Sequence, residues 1–256
     1  MQILHSKILG KGHPLLILHG LLGMGDNWIT LGRQYAAQGF EVHLIDQRNH
    51  GKSFHDDDMT YDELTEDLYN YARAHNLKKF DLIGHSMGGK TAMFFALQYP
   101  ELLRKMIVVD IAPKKYPPHH RFIFDTIKKI NLSRFDSRRK IEQFVLKYIE
   151  SPPIVKFILK NLARDENKNF VWKANIPVLS EALNDLGEAL PPLQVSQVPA
   201  LFVKGAKSPY ILPEDYSLIK AHFPNSGIVV IPESGHWVHA EQPALFFQET
   251  LKFLKG

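Results

Sequence analysis

The sequence contains no cysteine and no long apolar run. Without cysteine, the chain forms no disulfide and offers no thiolate as a nucleophile or metal ligand. No apolar stretch approaches the roughly 18 residues that a membrane-spanning helix requires. The first residues also lack the cationic and apolar regions of a signal peptide. We therefore expect a soluble cytoplasmic protein with no membrane span.

A strong charge of one sign is absent as well. The formal net charge is +4 and the pI is ≈ 9.0. This excess is too small to predict a nucleic-acid partner, because many basic proteins simply carry a solvated basic face. The 256 residues are 45% hydrophobic and 23% charged, which is the composition of an ordinary globular protein. The length favours one domain with an insertion over two equal domains.

Short apolar runs alternate with helical patterns along most of the chain. This alternation predicts an α/β fold, in which a mostly parallel sheet is covered by helices on both faces. A run near the start, "QILHSKIL", is interpreted as an antiparallel edge strand. The runs interpreted as parallel strands are residues 14–20, 40–46, 80–86, 105–112, 199–206 and 227–234.

Helix signals lie between these runs. Thr60 stands three residues before Glu63, which is the spacing of a capping box at a helix N-terminus. The segment 88–100 is apolar on most faces and ends at a proline. The last segment starts with Pro243 and ends with Gly256, the usual asymmetry of a helix.

The alternation stops after Ala112. Residues 113–196 contain eight prolines and no clear strand, and apolar residues at helical spacing recur between the prolines, as in 141–149. We therefore predict a core formed by residues 1–112 and 197–256, with residues 113–196 as a helical cap.

The first part of this insertion is basic. Residues 114–147 hold ten lysines and arginines against three acids, a net charge of +7. One hypothesis is that this surface attracts an anionic substrate such as an acyl-CoA. The alternative, which we favour, is a solvated helix face.

The octapeptide "GHSMGGKT", residues 84–91, fits two motifs. As G-x-S-x-G it presents Ser86 as a nucleophile on a turn between strand and helix. As G-x-x-x-x-G-K-[ST] it is a phosphate-binding loop that uses Lys90 and Thr91. The apolar strand ending in Asp110 even resembles the strand that holds Mg²⁺ in nucleotide-binding proteins. Both motifs require a strand, a turn and a helix, so this segment alone leaves the choice open.

Two segments elsewhere favour the serine. "HGLLG" at residues 19–23 follows a predicted strand, where a backbone N–H can stabilise the oxyanion of an acyl transfer. The second donor in such sites is the residue after the nucleophile, so Leu21 and Met87 are the predicted oxyanion-hole donors. "SGHWVHAE" follows the last predicted strand and supplies His236 as the base that activates Ser86.

The loop around His236 also permits a metal-site hypothesis. His236, His239 and Glu241 are all metal-ligating residue types, but a complete ligand set is not evident. We therefore predict no metal. A nucleophile followed by an acid and then a histidine is, moreover, the chain order of one class of serine hydrolase.

Six motifs together resemble the α/β-hydrolase superfamily over nearly the whole chain, and within it the YbfF-type bacterial esterases and their thioesterase-like relatives. They read "HGLLG", "DQRNHGKS", "GHSMGGK", "VVDIAP", "GAKSPY" and "GHWVHAE". The resemblance implies an α/β-hydrolase fold, a mostly parallel sheet flanked by helices with a helical cap insertion. It also implies carboxylesterase activity without a cofactor.

One position departs from the family pattern. In most of the superfamily the acid follows the strand that corresponds to 199–206, but this sequence has Ser208 there, which cannot carry a charge. Asp110 ends the strand after the nucleophile helix, at the sheet edge where such sites assemble. The YbfF-like enzymes use the Asp at this place, so the resemblance supports Asp110 over Glu214 and Asp215.

These observations predict a serine hydrolase whose triad is Ser86, Asp110 and His236. The predicted substrate is a small acyl ester or acyl thioester, cleaved through an acyl-serine intermediate. Two rival hypotheses stay open. One is a cofactor-free lyase or perhydrolase on the same triad, since a fold does not determine a reaction. The other is a non-catalytic ligand-binding homologue.

The resemblance also extends into the insertion. A short motif there is similar to one of the family and predicts residues that line the substrate pocket. These predicted substrate-binding residues are Trp172, Lys173 and Asn175.

Overall fold

The computed structural model describes residues 2–118 and 120–256. Met1 of the predicted core and His119 of the predicted cap lie outside the described residues. The strands are β1 (Ser6–Leu9), β2 (His13–Leu18), β3 (Phe40–Ile45), β4 (Phe80–His85), β5 (Leu103–Val109), β6 (Leu162–Arg164), β7 (Phe170–Trp172), β8 (Ala200–Gly205) and β9 (Ser226–Ile231).

Helices connect these strands. They are α1 (Ile29–Ala36), α2 (Tyr61–Ala74), α3 (Met87–Gln98), α4 (Arg121–Lys128), α5 (Arg138–Val145), α6 (Pro152–Leu159), α7 (Ile176–Glu181), α8 (Tyr216–His222), α9 (Val238–Glu241) and α10 (Pro243–Lys255). None of these described helices combines the length and the apolar character needed to cross a membrane.

The described residues form a seven-stranded sheet in the order β1-β3-β2-β4-β5-β8-β9. β1 pairs antiparallel with β3, and the other neighbours are parallel. The predicted edge strand and the predicted parallel strands are therefore confirmed. The capping-box prediction at Thr60 is confirmed in part, because its side chain accepts a hydrogen bond from the Glu63 backbone N–H.

Both faces of the sheet are buried. Alternate residues of each central strand point to opposite faces, so each strand contributes side chains to two cores. In β2, Leu15 and Ile17 belong to the core on one face, and Leu16 and Leu18 belong to the core on the other. Helices α1 and α10 contribute to the first core, and α2, α3 and α8 contribute to the second, which also includes residues of the insertion. This packing explains why the strands read as continuous apolar runs.

Strand register brings two predicted site residues together. His85 of β4 pairs with Val109 of β5, so the next residues, Ser86 and Asp110, leave the sheet side by side. Ser86 N–H donates to Val109 O at 3.0 Å, and Asp110 N–H donates to Val203 O of β8 at 2.8 Å. The ends of parallel strands meet at one edge of the sheet, where such sites form.

The turn between β4 and α3 is very tight. Ser86 adopts φ 53° and ψ −115°, a conformation that L-residues with side chains rarely take. The turn brings Gly84 and Gly88 so close that a Cβ built on Gly84 would lie 2.1 Å from Gly88 O. Both flanking glycines are therefore required by backbone contact, which is the physical basis of the G-x-S-x-G pattern.

The insertion is not purely helical. It contains α4 to α7, as predicted, but also an antiparallel hairpin of β6 and β7. The expectation of no strand between residues 113 and 196 is therefore wrong. Each of these strands has three residues, too few for the alternating pattern on which strand prediction depends.

The two ends of the insertion lie against each other. Leu190 N–H donates to Pro113 O at 2.9 Å, and Tyr116 N–H donates to Gly187 O at 2.7 Å. These bonds close the insertion where it leaves and re-enters the sheet. Its description as a separate cap on a core stays a prediction.

Lys90, in the helix that follows Ser86, connects that helix to both ends of the insertion. Its side chain is 1% exposed, and Nζ donates to Lys114 O at 2.7 Å and also to Glu188 O. The lysine that matched the phosphate-loop motif is thus occupied by carbonyl oxygens from both ends of the insertion.

We expect Gly84→Ala to lower the free energy of unfolding by about 1–3 kcal/mol or more, because the new methyl group overlaps the backbone of α3. Gly227→Ala is the matched control, since a Cβ there meets its nearest neighbour at 3.5 Å. The control should change stability by about 0.5 kcal/mol or less. Urea unfolding followed by circular dichroism measures both, and equal effects would contradict the steric explanation.

Candidate active site

Asp110 is a fully buried carboxylate at the end of β5, with 0% exposure. Its Oδ2 accepts a hydrogen bond from His236 Nδ1 at 2.8 Å, and its Oδ1 accepts one from Gly205 N–H at 3.1 Å. The Ser208 hydroxyl also donates to Oδ2. These bonds satisfy a charge that would otherwise be costly to bury.

The bond to Asp110 orients His236. With Nδ1–H donating to the carboxylate, Nε2 is left with a lone pair that can accept a proton. The Tyr210 ring stacks on the imidazole, with 3.9 Å between ring centroids and 18° between planes. His85 Nε2–H donates to the His236 backbone carbonyl at 2.9 Å. Backbone and ring of His236 are thus both held in place.

Ser86 and His236 line the same cavity. Ser86 is 7% exposed, and in the described structure its hydroxyl is not hydrogen-bonded to the His236 ring. In unliganded hydrolytic sites this bond is often long and tightens when substrate binds. The structure thus brings Ser86, Asp110 and His236 to one sheet edge, and their catalytic roles stay a prediction.

The two predicted oxyanion-hole donors flank Ser86. Leu21 follows β2 and Met87 begins α3, and both contact cavities that Ser86 also lines. Within the described part of the chain, neither Leu21 N–H nor Met87 N–H donates to a protein acceptor. Unpaired backbone donors near a nucleophile can receive the negative charge of a tetrahedral intermediate.

Two buried histidines hold the loop that carries Leu21. His19 Nδ1–H donates to Gly20 O at 2.8 Å, and His19 Nε2 accepts from Gln47 N–H at 3.0 Å. His50 Nε2 accepts from Leu22 N–H at 3.1 Å. These bonds require uncharged rings. Burial lowers the pKa of His19 to about 4 and that of His50 to about 3.

The cavity beside Ser86 has a volume of ≈ 230 Å³ and mostly apolar walls. Its apolar lining includes Ile154, Phe157 and Ile158 of the insertion helix α6. A second, smaller cavity of ≈ 50 Å³ also contacts Ser86 and is lined by Met87 and Ile111 among others.

The three residues predicted to bind substrate are not brought to this cavity. Trp172 belongs to the β7 strand and pairs with Leu162. The Lys173 side chain lines a different cavity, beside Met24. Asn175 donates through Nδ2 to Asn49 Oδ1 at 3.0 Å.

The three side chains are thus held by hairpin pairing and loop contacts, and they are not among the residues that line the cavity beside Ser86. Their role in binding substrate stays a prediction.

The residues named in the metal-site hypothesis make other contacts. Glu241 accepts hydrogen bonds from the Gly235 and Trp237 backbone N–H groups at 2.7 and 3.3 Å, and His239 stacks on Trp28. Across residues 2–118 and 120–256, no group of three or more histidines and acids is placed to hold a metal ion.

The fold and the site together define a hydrolase class. A family model described as the alpha/beta hydrolase fold matches residues 13–141. The sn-1-specific diacylglycerol lipase ABHD11 of Danio rerio is 36% identical, covering 96% of this chain and 80% of that protein. Esterase YbfF of Escherichia coli is 31% identical, covering 94% of this chain and 92% of the other. The chain belongs to the α/β-hydrolase family.

A solved structure agrees with this assignment. A marine microorganism esterase superposes with a TM-score of 0.96 at 42% identity, covering 99% of this chain and 100% of that one. The resemblance to YbfF-type esterases and the α/β-hydrolase fold are thereby confirmed. Because these relatives are esterases and lipases over nearly the whole chain, the enzyme class is that of the carboxylic ester hydrolases.

Sequence reasoning missed two contacts in the site. In the sequence, Ser208 stands only where the family acid is missing, yet its hydroxyl donates to Asp110. Tyr210 was part of the "GAKSPY" motif, but no local pattern indicated that its ring stacks on His236. Both lie on the loop after β8, and only the neighbouring positions of β5, β8 and β9 in the sheet bring that loop to the site.

We expect acid to destabilise the protein through His19 and His50. Their pKa values are lowered in the folded state, so the unfolded chain binds more protons below pH 6.5. The free energy of unfolding should therefore fall as the pH drops from 6.5 towards 4. A pKa difference of one unit corresponds to about 1.4 kcal/mol, so the loss is on the order of a few kcal/mol.

The comparison variant is His50→Gln, which keeps an acceptor for Leu22 N–H but does not titrate. The difference in stability between wild type and this variant should shrink as the pH falls, when both are measured by urea unfolding. A constant difference from pH 6.5 to 4 would show that His50 is not buried in its neutral form.

Proposed function

We propose that the protein hydrolyses acyl esters and thioesters through an acyl-serine intermediate, with Ser86 as nucleophile. The observation that carries this proposal is that Ser86 and His236 line one cavity while Asp110 holds the His236 ring at 2.8 Å. The unpaired amides of Leu21 and Met87 support the same chemistry. Such a set of groups can activate a hydroxyl and stabilise an oxyanion.

In the proposed mechanism, Ser86 Oγ attacks the substrate carbonyl carbon and His236 Nε2 accepts the hydroxyl proton. Asp110 stays ionised and stabilises the imidazolium that forms. The oxyanion receives hydrogen bonds from Leu21 N–H and Met87 N–H. His236 then gives the proton to the leaving alcohol or thiol, and a water molecule releases the carboxylic acid from Ser86 by the same steps.

The apolar cavity supports a substrate with an uncharged hydrocarbon portion. Phe157 and its neighbours on α6 offer van der Waals contact and no charge, so burial of an alkyl or acyl chain there is favourable. The related ABHD11 proteins are named diacylglycerol lipases, which are also ester hydrolases acting on acyl chains. A lipid-derived ester is therefore a reasonable member of the substrate class.

The proposal is tested by a hydrolysis panel of p-nitrophenyl and CoA acyl esters. We expect wild type to turn these substrates over and Ser86→Ala to lose at least about 10³-fold in kcat. Asp110→Asn should lose on the order of 10³–10⁴-fold, because the wrong imidazole tautomer is stabilised. Labelling of Ser86 by a fluorophosphonate probe gives an independent readout.

The same panel separates the rival functions. A dedicated lyase should turn over simple aryl esters poorly, and a perhydrolase should show its main activity only with hydrogen peroxide. A protein that neither hydrolyses the panel nor labels at Ser86 would be a ligand-binding homologue. Retention of full activity by Ser86→Ala would overturn the proposed mechanism.

A further prediction concerns Ser208, which donates a hydrogen bond to Asp110 Oδ2. Ser208→Ala removes a buried charge-assisted hydrogen bond, which is worth about 1.5–3 kcal/mol. We expect kcat/KM to fall by about tenfold or more, with KM little changed. Ser208→Thr keeps the hydroxyl and should recover much of the loss. Equal losses in both variants would indicate that packing, rather than the hydrogen bond, matters at this position.

A further inference from the structure

One wall of the apolar cavity carries an unpaired imidazole. His239 lies in α9, lines the cavity beside Ser86 and is 7% exposed. Its Nδ1 is buried without a hydrogen-bond partner in the described structure, and its Nε2 bonds to no described residue either. Leaving such a group unpaired costs about 1–3 kcal/mol. Nδ1 has almost no accessible surface, so Nε2 is the ring nitrogen that can meet a polar group from outside the protein.

Packing holds this ring in a defined orientation. Trp28 stacks on His239 with 4.0 Å between centroids and 10° between planes. The His85 ring meets it edge-on at 4.7 Å, and Phe246 contacts it from a further side at 6.2 Å. A hydrogen-bonding group whose direction is fixed before binding loses little conformational entropy when the ligand arrives.

Two neighbouring side chains on the same wall also keep free donors. The Asn27 carbonyl oxygen accepts from Met24 N–H at 2.8 Å, so its NH₂ group remains available. In the described residues, neither that NH₂ group nor the indole N–H of Trp28 donates to a protein acceptor. Both side chains line the cavity. The three residues Asn27, Trp28 and His239 form what we call the polar wall.

The polar wall is uncharged. Burial, together with the neighbouring His236 and Lys160, lowers the pKa of His239 to about 3. A neutral imidazole has one N–H donor and one acceptor nitrogen, while Asn27 and Trp28 offer donors. A hydroxyl group matches this set, because it both donates and accepts. A carboxylate would find donors but no positive charge within the wall itself.

We propose that the polar wall binds a hydroxyl group of the substrate, so that the enzyme prefers esters that carry a free hydroxyl over matched esters that lack one. The inference rests on the proposed function, because it concerns the pocket in which Ser86 acts. The hydroxyl can belong to either of two sources, the acyl chain or the alcohol portion. The hydroxyl would make the same hydrogen bonds to the polar wall in either case.

The test measures kcat/KM for two matched pairs of esters. One pair is p-nitrophenyl butyrate and p-nitrophenyl 3-hydroxybutyrate, which places the hydroxyl on the acyl chain. The other is propyl butyrate and glycerol monobutyrate, which places it on the alcohol. Wild type should favour the hydroxylated ester of at least one pair by about tenfold or more, because an unpaired buried polar group discriminates against the analogue that lacks the partner.

In His239→Phe, which keeps an aromatic ring against Trp28, the preference should fall to about one. His239→Gln keeps a donor and an acceptor, so it should retain part of the preference and controls for folding. His75→Phe is the matched control outside the pocket, since His75 is exposed at the end of α2. It should leave the ratio unchanged.

No preference in wild type for either pair would overturn the inference, as would the same preference in His239→Phe. The proposed function fails in a different way, because then wild type would hydrolyse none of the four esters and Ser86→Ala would change nothing. The pair that shows the preference identifies whether the hydroxyl lies on the acyl or the alcohol portion.

Discussion

The buried carboxylate of Asp110 is the group on which the organisation of the site depends. An ionised carboxylate with no exposure is tolerated only when hydrogen bonds surround it. Here they come from Gly205, Ser208 and His236, which lie at or after the ends of two further strands. Asp110 is therefore satisfied only if β5, β8 and β9 are neighbours, so the sheet order and the position of the histidine depend on one another.

A second set of contacts ties the nucleophile to the rest of the molecule. Ser86 stands in a strained turn whose partner glycines permit the backbone to pass, and neutral His19 and His50 hold the loop opposite. Lys90, one turn after the serine, bonds to carbonyl oxygens from both ends of the insertion. Helix α3, which follows the nucleophile, is thus bonded to both ends of the insertion. The insertion also supplies apolar residues that line the cavity.

The cavity has two chemical characters that follow from different parts of the chain. Insertion helix α6 supplies apolar side chains such as Phe157, which suit hydrocarbon. The segments after β2 and β9 supply Asn27, Trp28 and His239, which keep polar groups without a partner among the described residues. A pocket of this kind derives affinity from apolar burial and selectivity from a few oriented polar groups. Esters that combine an acyl chain with a hydroxyl group would use both.

The sequence by itself determined much of this protein. Apolar runs of strand length and their alternation with helices specify a parallel sheet, and G-x-S-x-G with a later histidine indicates the chemistry, because these signals are local. The position of Asp110 at a strand end and the family resemblance indicated the acid, but only the tertiary structure shows how Ser208 and His236 meet it, since all three are far apart in the chain and come together through strand order. It also decided that Trp172 lies in a short hairpin, because a three-residue strand is too short to show a periodic pattern in the sequence. Contacts between residues that are distant in the chain depend on the whole fold, whereas helices, strands and turns leave local patterns that can be recognised in the sequence.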